Sequence, residues 1–261
     1  MQPKKSLKIA SWNVNSLKVR LEHVQQWMSS SAVDVLALQE TKLTDPDFPQ
    51  QAFLDLGLHV VFSGQKTYNG VAIISREPLA DIETDIPGFI DPQRRILAVT
   101  SHGIRIINLY VPNGSEVGSA KYIYKLSWLE HVTEYVKNQL AQYPKLVVLG
   151  DFNIAPNDCD VYSPTAMQGG ILISQCERDA FSELLALGLI DGFRAINPEL
   201  NRYSWWDYRA ASFPRNQGAR IDHILPSNLL GEKIIASDVD LEPRCWARPS
   251  DHAPIWMTFN L

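Results

Sequence analysis

KLVVLGDFN, at Lys145–Asn153, joins an unbroken apolar run to two side chains that can bind a ligand. Leu146–Leu149 show neither a period of two nor one of 3.6, which predicts a strand buried on both faces. Alternation along an extended chain would place Asp151 and Asn153 on one side and Phe152 on the other. Such polar groups are costly to bury unless they bind something, yet Gly-Asp and Asn are also ordinary turn residues. This stretch alone leaves a turn and a ligand site open.

The composition is that of an ordinary globular protein. The 261 residues are 45% hydrophobic and 20% charged, and no low-complexity linker interrupts them, so we expect a single domain over residues 1–261. The net charge of −5 argues against a protein that holds nucleic acid by bulk electrostatics. It leaves room for an enzyme that clusters acids around a cation and bases around a phosphate-bearing ligand.

Cysteine usage and hydropathy predict the compartment. The three cysteines are scattered and lack CxxC spacing, which argues against a zinc site and favours a reducing compartment. The N-terminal segment MQPKKSLKIASWN has no sustained apolar run, and no stretch approaches transmembrane length. We therefore expect a cytoplasmic protein of bacterial type that does not engage membranes.

Short apolar strands recur along the chain, with few helices between them. Besides Leu146–Leu149, the pattern predicts strands at Leu7–Trp12, Val33–Leu38, Leu58–Phe62, Gly70–Ser75, Arg95–Thr100, Ile104–Val111, Ala219–Leu225, Ile234–Leu241 and Ile255–Phe259. Helical spacing predicts a helix after Ser16 as N-cap, and others over Phe48–Leu56, Tyr122–Leu140 and Cys176–Leu187. Residues 154–175 have no clear periodicity and predict a long surface loop with room for one helical turn. Many strands with about four helices indicate two packed sheets flanked by helices.

Several strands end, or begin, at polar residues, and distant parts of the chain share this design: Asn13, Glu40, Tyr110, Asp151, Asp222, Asp251 and His252. Taken singly, a solvated loop carboxylate or a structural histidine explains each acid or His252 better. Together they predict one rim and one site. Hard oxygen ligands without a Cys or His pair suit Mg²⁺, with Mn²⁺ as a possible substitute.

His252 adds a group that can donate to a phosphate oxygen or accept a proton near neutral pH. An Asp can hold its imidazole in one tautomer. Asp222 is the better candidate for that role, because Asp251 adjoins His252 in sequence and can face elsewhere.

A second group interleaves aromatic and basic residues over Arg202–Arg220. Its aromatic members are Tyr203, Trp205, Trp206, Tyr208 and Phe213, and its arginines are Arg202, Arg209, Arg215 and Arg220. Aromatic faces stack on bases and arginines pair with phosphates, although alternate aromatics of a strand also fill a core. A basic track could be extended by Lys66, Arg94, Arg95, Lys121 and Lys125. For Lys121 and Lys125 a solvated helix face is the favoured interpretation.

Six short motifs, in this order, resemble the exonuclease III family of DNA repair enzymes: WNVNSL at 12–17, LQETK at 38–42, YNGVAI at 68–73, GDFNIAP at 150–156, RIDHIL at 220–225 and PSDHAP at 249–254. The resemblance covers essentially the whole chain. It implies an α+β fold, a four-layer αββα sandwich of two mainly antiparallel sheets flanked by helices. It also implies a Mg²⁺-dependent hydrolase acting on double-stranded DNA with abasic sites, nicks or blocked 3′ ends, and we expect a monomer.

The resemblance further implies roles for individual residues. Glu40 would be the principal metal ligand, with Asn13 and Asp251 beside it. Asp151 would orient or deprotonate the attacking water, and Asn153 would bind that water or a phosphate oxygen. Tyr110 would donate to the scissile phosphate, while His252, held by Asp222, would stabilise its developing charge. The expected substrate-binding residues are Asn69, Arg94, Trp205, Trp206, Arg209, Phe213 and Ala219.

Two departures leave the preferred DNA substrate open. Ala219 is small where the family commonly has a bulky residue lining the pocket for an abasic sugar, and the loop Cys159–Gln175 matches no motif. Phosphoesterases of the wider superfamily share the acidic rim, so a non-DNA substrate such as an inositol phosphate is the alternative. A catalytically inactive binding module would require loss of Glu40, Asp151, Asp222 or His252, and all four are present.

Overall fold

The computed structural model describes residues 6–261; the first five residues, which belong to the predicted single domain and to the segment expected to carry no secretory signal, lie outside it. Its strands are β1 (Ser6–Asn13), β2 (Val35–Gln39), β3 (His59–Ser63), β4 (Val71–Ser75), β5 (Ala80–Glu83), β6 (Ile96–Ser101), β7 (Ile104–Tyr110), β8 (Leu146–Asp151), β9 (Asp222–Pro226), β10 (Ile234–Val239) and β11 (Ile255–Asn260). Its α-helices are α1 (Leu17–Ser31), α2 (Gln50–Leu54), α3 (Ala120–Gln142), α4 (Pro164–Met167), α5 (Gln175–Ala186), α6 (Gly192–Ile196) and α7 (Asn228–Gly231).

The strands form two mixed sheets. One has the order β10-β11-β1-β2-β4-β3 and the other β5-β6-β7-β8-β9. Parallel pairing joins β1 to β2 and β7 to β8, and the remaining strand neighbours run antiparallel. The predicted pair of mainly antiparallel sheets is therefore confirmed.

Apolar side chains on both faces of each sheet build the four layers. Ile9, Ile73, Leu97 and Val147 belong to the core between the sheets. The outer face of the six-stranded sheet packs against α1 and α2, and that of the five-stranded sheet against α3 and α5. Removing these faces from water at roughly 25 cal/mol per Å² supplies the main driving force for this arrangement.

Strand β8 lies in the middle of this packing. Val147 and Leu149 face the other sheet, while Leu146 and Val148 face the layer of α3 and α5. Burial on both faces explains why its sequence shows no amphipathic period. Phe152 continues into the helical layer, on the side opposite Asp151.

Several predicted elements differ from the structure. Strand β5 and helices α6 and α7 were not predicted, and α2 is shorter than Phe48–Leu56 because a 3₁₀ turn, Asp45–Asp47, precedes it. Strand β9 begins at Asp222 rather than Ala219, since Ala219 pairs with Trp205 and Val161 instead. The loop at 154–175 contains two short helical segments where one turn was expected, a 3₁₀ turn, Asp158–Asp160, and α4.

Ser16 precedes α1 but does not cap it with its side chain, because its φ is 94°. The first backbone N–H groups of this region donate to the carbonyls of Glu40 and Thr41 at 2.7 and 3.1 Å. The start of α1 is thus bound to the segment that carries Glu40. None of the helices within residues 6–261 is long and apolar enough to cross a bilayer.

Candidate active site

Strand register brings three predicted residues together. Tyr110 pairs with Asp151 across the parallel β7–β8 ladder, and Asp151 pairs with Asp222 across the antiparallel β8–β9 ladder. Directly paired residues project to the same face of a sheet with Cβ atoms about 4.5–5.5 Å apart. Residues separated by up to 112 positions along the chain therefore share one edge of the five-stranded sheet.

Asn13 connects this edge to the other sheet. Its Nδ2 donates to Oε1 of Glu40 and to Oδ2 of Asp151, both at 2.9 Å, and its side chain is fully buried. Oδ1 of Asn13 accepts the backbone N–H of Asn15 at 2.9 Å. The carboxamide therefore fixes the distance between the two carboxylates.

Backbone strain is concentrated here. Asn15, Glu40, Lys42, Asn69 and Asn153 all have φ between 42° and 56°, in the left-handed region. Outside glycine this conformation is uncommon, and it costs free energy that the surrounding structure must offset. The N–H of Asn153 donates to Oδ1 of Asp151 at 2.9 Å. KLVVLGDFN thus ends in a local turn, and that same turn leaves Oδ2 of Asp151 directed at Asn13.

His252 and Asp222 form a buried pair. Nδ1 of His252 lies 2.8 Å from Oδ2 of Asp222, which also accepts the hydroxyl of Ser204 at 2.6 Å. Asp251 makes no hydrogen bond to the ring; its carboxylate accepts Nδ2 of Asn15 at 2.9 Å and Nε1 of Trp205 at 3.1 Å. Nε2 of His252 lies 3.8 Å from Oδ2 of Asp151, so His252 stands between two carboxylates.

This arrangement shifts the pKa values of both central groups. Burial alone would lower the pKa of His252, but Asp222 and Asp151 outweigh it and raise the pKa to about 10. Burial raises the pKa of Asp151 well above that of an ordinary aspartate, although His252 opposes the shift. At neutral pH the imidazole is therefore a cation, and Asp151 is more basic than a solvated carboxylate.

Glu40 and Asp251 are held in the ionised form. Burial would raise the pKa of Glu40, but Lys42, 2.9 Å from Oε2, and the hydrogen bond from Asn13 keep it below the ordinary value. Burial acts likewise on Asp251, and His252 with the bonds from Asn15 and Trp205 lowers its pKa. The Tyr110 hydroxyl is the opposite case, since burial and the nearby carboxylates of Glu40 and Asp151 raise its pKa, so it stays protonated as a donor.

The donor set fits a hard divalent cation. Glu40 and Asp251 are ionised carboxylates, and each carboxylate oxygen has a second lone pair beyond its protein hydrogen bond. Asp151, Asp222 and His252 also offer ligand atoms within 4.8 Å of one another. In that group Oδ1 of Asp222 is buried with no hydrogen-bond partner, although protonation of His252 removes the imidazole as a ligand.

The aromatic segment divides into rim and core. Trp205 is partly exposed and bonds to Asp251, whereas Trp206 is 1% exposed and meets the ring of Phe213 edge-on at 5.0 Å. Phe213 packs against the same core. A base-stacking role for Trp206 does not fit this position, because strand-like alternation turns its ring inward.

The remaining substrate-binding candidates lie in different settings. Ala219 is fully buried and bonds through its backbone to Trp205, so its side chain faces no cleft. Arg209 is 88% exposed and paired with Asp207. Arg94 pairs with Asp85 at 2.9 Å, and Nδ2 of Asn69 donates to Gln65 and Gln93.

Three contributing residues had no clear signal in the sequence. Ser204, buried within the aromatic segment, bonds to Asp222, and Asn15 bridges Asp251 and Lys42. The expectation of a solvated helix face is wrong for Lys125, whose side chain is 0% exposed. Asn15 belongs to the motif WNVNSL, but nothing in a single sequence marks a buried lysine or an orienting serine.

A cavity of about 340 Å³ opens beside the catalytic candidates. Asn153, Asn113 and Trp205 line it on one side, with Met167 and Leu172 of the 154–175 loop on the other. The loop that matched no motif therefore borders the site.

Sequence and structure comparisons connect the chain to known proteins. A profile of the endonuclease/exonuclease/phosphatase family matches residues 10–252. Exodeoxyribonuclease III of Haemophilus influenzae is 34% identical, over 97% of this chain and 100% of that protein. The 3′ phosphatase NExo from Neisseria, solved with a product DNA hairpin, has TM-score 0.97 and 47% identity, covering 98% of this chain and 100% of its own. An AP endonuclease from Archaeoglobus fulgidus has TM-score 0.95 and 38% identity over the same shares.

Proposed function

The chain belongs to the endonuclease/exonuclease/phosphatase family, and from that membership we propose that it is a Mg²⁺-dependent, exodeoxyribonuclease III-like hydrolase that repairs DNA 3′ ends. Its substrates would be duplexes with a 3′ phosphate or a 3′ end open to exonuclease attack. The observation that carries the proposal is the convergence of Asp151 and the His252–Asp222 pair, at 3.8 and 2.8 Å. A basic carboxylate beside a cationic imidazole suits attack of water on an anionic phosphoester.

Glu40 and Asp251, with Asn13 beside them, would hold the Mg²⁺ ion. When bound, the ion neutralises charge on the phosphate and on the departing 3′ oxygen. Their hard oxygen donors and lowered pKa values support this choice, because both carboxylates stay ionised at neutral pH. The cluster of Asp151, Asp222 and His252 is better explained as proton-handling machinery, since His252 holds a proton on each ring nitrogen in its cationic form.

The protein residues would divide the reaction as follows. Asp151 accepts a proton from a water molecule, whose oxygen forms a bond to phosphorus as the bond from phosphorus to the 3′ oxygen breaks in line. His252, Tyr110 and Nδ2 of Asn153 donate hydrogen bonds to the phosphate oxygens. No covalent enzyme intermediate forms. Asp222 keeps the imidazole cationic and oriented.

The substrate preference rests on the relatives and on the cavity beside Asn153. Two solved relatives at 47% identity are described as a 3′ phosphatase and a 3′-5′ exonuclease, and the cavity of about 340 Å³ beside Asn153 would receive the terminal nucleotide of such a 3′ end. Incision at abasic sites is the second candidate, favoured by the 38% identity to an AP endonuclease and by Trp205, which borders the same cavity.

One duplex assay tests these activities. Labelled duplexes carrying a 3′ phosphate, a plain 3′ end, a nick or an internal abasic analogue are incubated with Mg²⁺, with Mn²⁺, or with excess EDTA. We expect Mg²⁺-dependent turnover, fastest on the 3′ phosphate or the plain 3′ end. Faster turnover of the abasic duplex would favour incision instead. Inactivity on all four, with release of phosphate from an inositol phosphate, would refute a DNA substrate.

Asp151→Asn tests the chemistry in the same assay. Because the amide cannot accept the proton of water, we expect kcat to fall by about 10²–10⁴-fold while DNA binding is retained. Asp179→Asn, at an exposed position of α5, is the matched control and should keep wild-type turnover. Full activity of Asp151→Asn would refute the assignment.

A further inference from the structure

A buried ion pair lies directly behind the catalytic residues. Lys125 on α3 pairs with Glu177 on α5, and both side chains are 0% exposed. Burying two charges is costly and is compensated only when every hydrogen-bonding group is satisfied. A pair that only joined two helices could be replaced by apolar side chains, so the other contacts of Lys125 are informative.

The ammonium of Lys125 has three partners for its three protons. Besides Glu177, Nζ donates to the backbone carbonyl of Asn153 at 2.7 Å and to that of Asn113 at 3.3 Å. The glycine after Asn113 lies so close that a Cβ there would be 3.3 Å from Cδ of Lys125. The lysine therefore contacts the loops that leave β8 and β7, the strands that carry Asp151 and Tyr110.

The carboxylate of Glu177 also accepts hydrogen bonds from the loop that precedes α5. Its Oε1 accepts the N–H of Leu172, and its Oε2 accepts the N–H and hydroxyl of Ser174, at 3.1, 3.1 and 2.6 Å. Leu172 also lines the cavity beside Asn153. The ion pair thus joins one wall of that cavity to the backbone of the catalytic loops.

Asn153 depends on such support. Its φ of 51° lies in the left-handed region, and its side chain is oriented by two bonds: Nδ2 donates to the carbonyl of Val111 at 3.0 Å, and Oδ1 accepts Nδ2 of Asn113 at 3.1 Å. Lys125 holds both asparagines by their carbonyls. Loss of these bonds would release the turn that also places Asp151.

We propose that Lys125 is a positioning residue of the active site, which holds the backbone of Asn113 and Asn153 so that Asn153 and Asp151 face the substrate phosphate. The inference rests on the proposed function for its effect on catalysis. Lys125 touches no substrate in this role, so it should govern turnover rather than DNA affinity.

Two single variants separate positioning from simple stabilisation. Lys125→Met removes both bonds to the carbonyls. Arg105→Met removes another buried cation, one that does not contact these two loops. If the pair served stability alone, both variants would lower the melting temperature and leave turnover of the folded enzyme unchanged.

We expect Lys125→Met to lower kcat by about 10–100-fold with KM for DNA little changed, in the range found for residues that orient catalytic ligands. Arg105→Met is the matched control, because Arg105 is another fully buried cation. It is paired with Glu83 at 2.7 Å and lies at the end of β7 opposite to Tyr110. Arg105→Met should lower the melting temperature without lowering kcat.

A second measurement does not depend on turnover. In protein labelled with ¹⁵N-asparagine, the side-chain amide signals of Asn113 and Asn153 should shift and broaden in Lys125→Met, and stay unchanged in Arg105→Met. Unchanged signals and unchanged kcat in Lys125→Met would overturn the inference, as would a rise in KM alone. If the wild type itself fails to turn over DNA, the proposed function fails, and the amide signals alone decide the role of Lys125.

Discussion

At the scale of single residues, proximity in sequence was a poor guide to partnership. Asp251 adjoins His252 but bonds to Asn15 and Trp205, whereas Asp222, thirty positions away, holds the ring. The sequence favours Asp222 as the partner of His252, because Asp251 adjoins His252 and can face elsewhere. The hydrogen bond at 2.8 Å confirms the contact between Asp222 and His252. Its effect on catalysis stays a prediction. The ranking of the two carboxylates can be measured directly on His252.

We expect Asp222→Asn to lower the pKa of His252 from about 10 by about 1–3 pH units, because an opposite charge in direct contact is lost. Asp251→Asn, the control, should lower it less, since Asp251 is the weakest of the three carboxylates that raise this pKa. Histidine NMR titration of the apoprotein in chelator gives both values. Equal shifts in the two variants would contradict the pairing.

At the scale of elements, one glycine determines how β8 joins the sheet. Gly150 has φ +141°, and a Cβ there would lie 1.9 Å from the carbonyl oxygen of Leu109 in β7. Because the obstructing atoms belong to the backbone, neither strand can move aside without breaking hydrogen bonds of the sheet. The residue before Asp151 must therefore be glycine if Tyr110 and Asp151 are to stay in register.

We expect Gly150→Ala to lower the free energy of unfolding by at least about 3 kcal/mol, as for severe overpacking. Gly103→Ala is the control: it has φ +70° in the β6–β7 turn with nothing within 4 Å of the new Cβ. In Gly103→Ala, the left-handed backbone conformation alone should lower the free energy of unfolding by about 1–2 kcal/mol. Urea unfolding measures both variants, and equal losses would show that close approach is not the cause.

At the scale of the whole molecule, buried charge connects parts that are distant in sequence. Arg220 before β9 bonds to Asp160 of the 3₁₀ turn and to Asp191 before α6, and Arg194 of α6 also pairs with Asp160. The two arginines outweigh burial and lower the pKa of Asp160 to about 2. The folded state therefore favours the ionised carboxylate. The single domain, the monomeric state and the cytoplasmic location remain predictions.

Acid should lower the free energy of unfolding by protonating Asp160. Since its pKa is lower when folded, Asp160 stabilises the protein fully above about pH 4 and progressively less as the pH falls towards 2, by about 2 kcal/mol in total. We expect Asp160→Asn to lower the free energy of unfolding by about 3–5 kcal/mol at pH 6. The difference in this free energy between the variant and the wild type should narrow below pH 4. Asp158→Asn, at a carboxylate 71% exposed, is the control and should change little at any pH. Urea unfolding across pH checks this, and a constant gap for Asp160→Asn would contradict it.

Local sequence patterns predict the layered class of the fold, most strand positions and the identity of the polar strand ends. Those features follow from local periodicity and from residue type, which a single chain displays directly. The short elements β5, α6 and α7 were not predicted, because their hydrophobic patterns are too brief to be distinguished from those of loops.

Which polar residues meet, and which charges are buried, depends instead on how the folded chain packs. Strand register placed Tyr110, Asp151 and Asp222 in one row, and sheet packing let Asn13 connect Asp151 to Glu40. It also turned Trp206 into the core and buried Lys125 beneath Asn153. The physical reason is that burial and pairing depend on contacts between distant segments, which neither helical nor strand periodicity encodes.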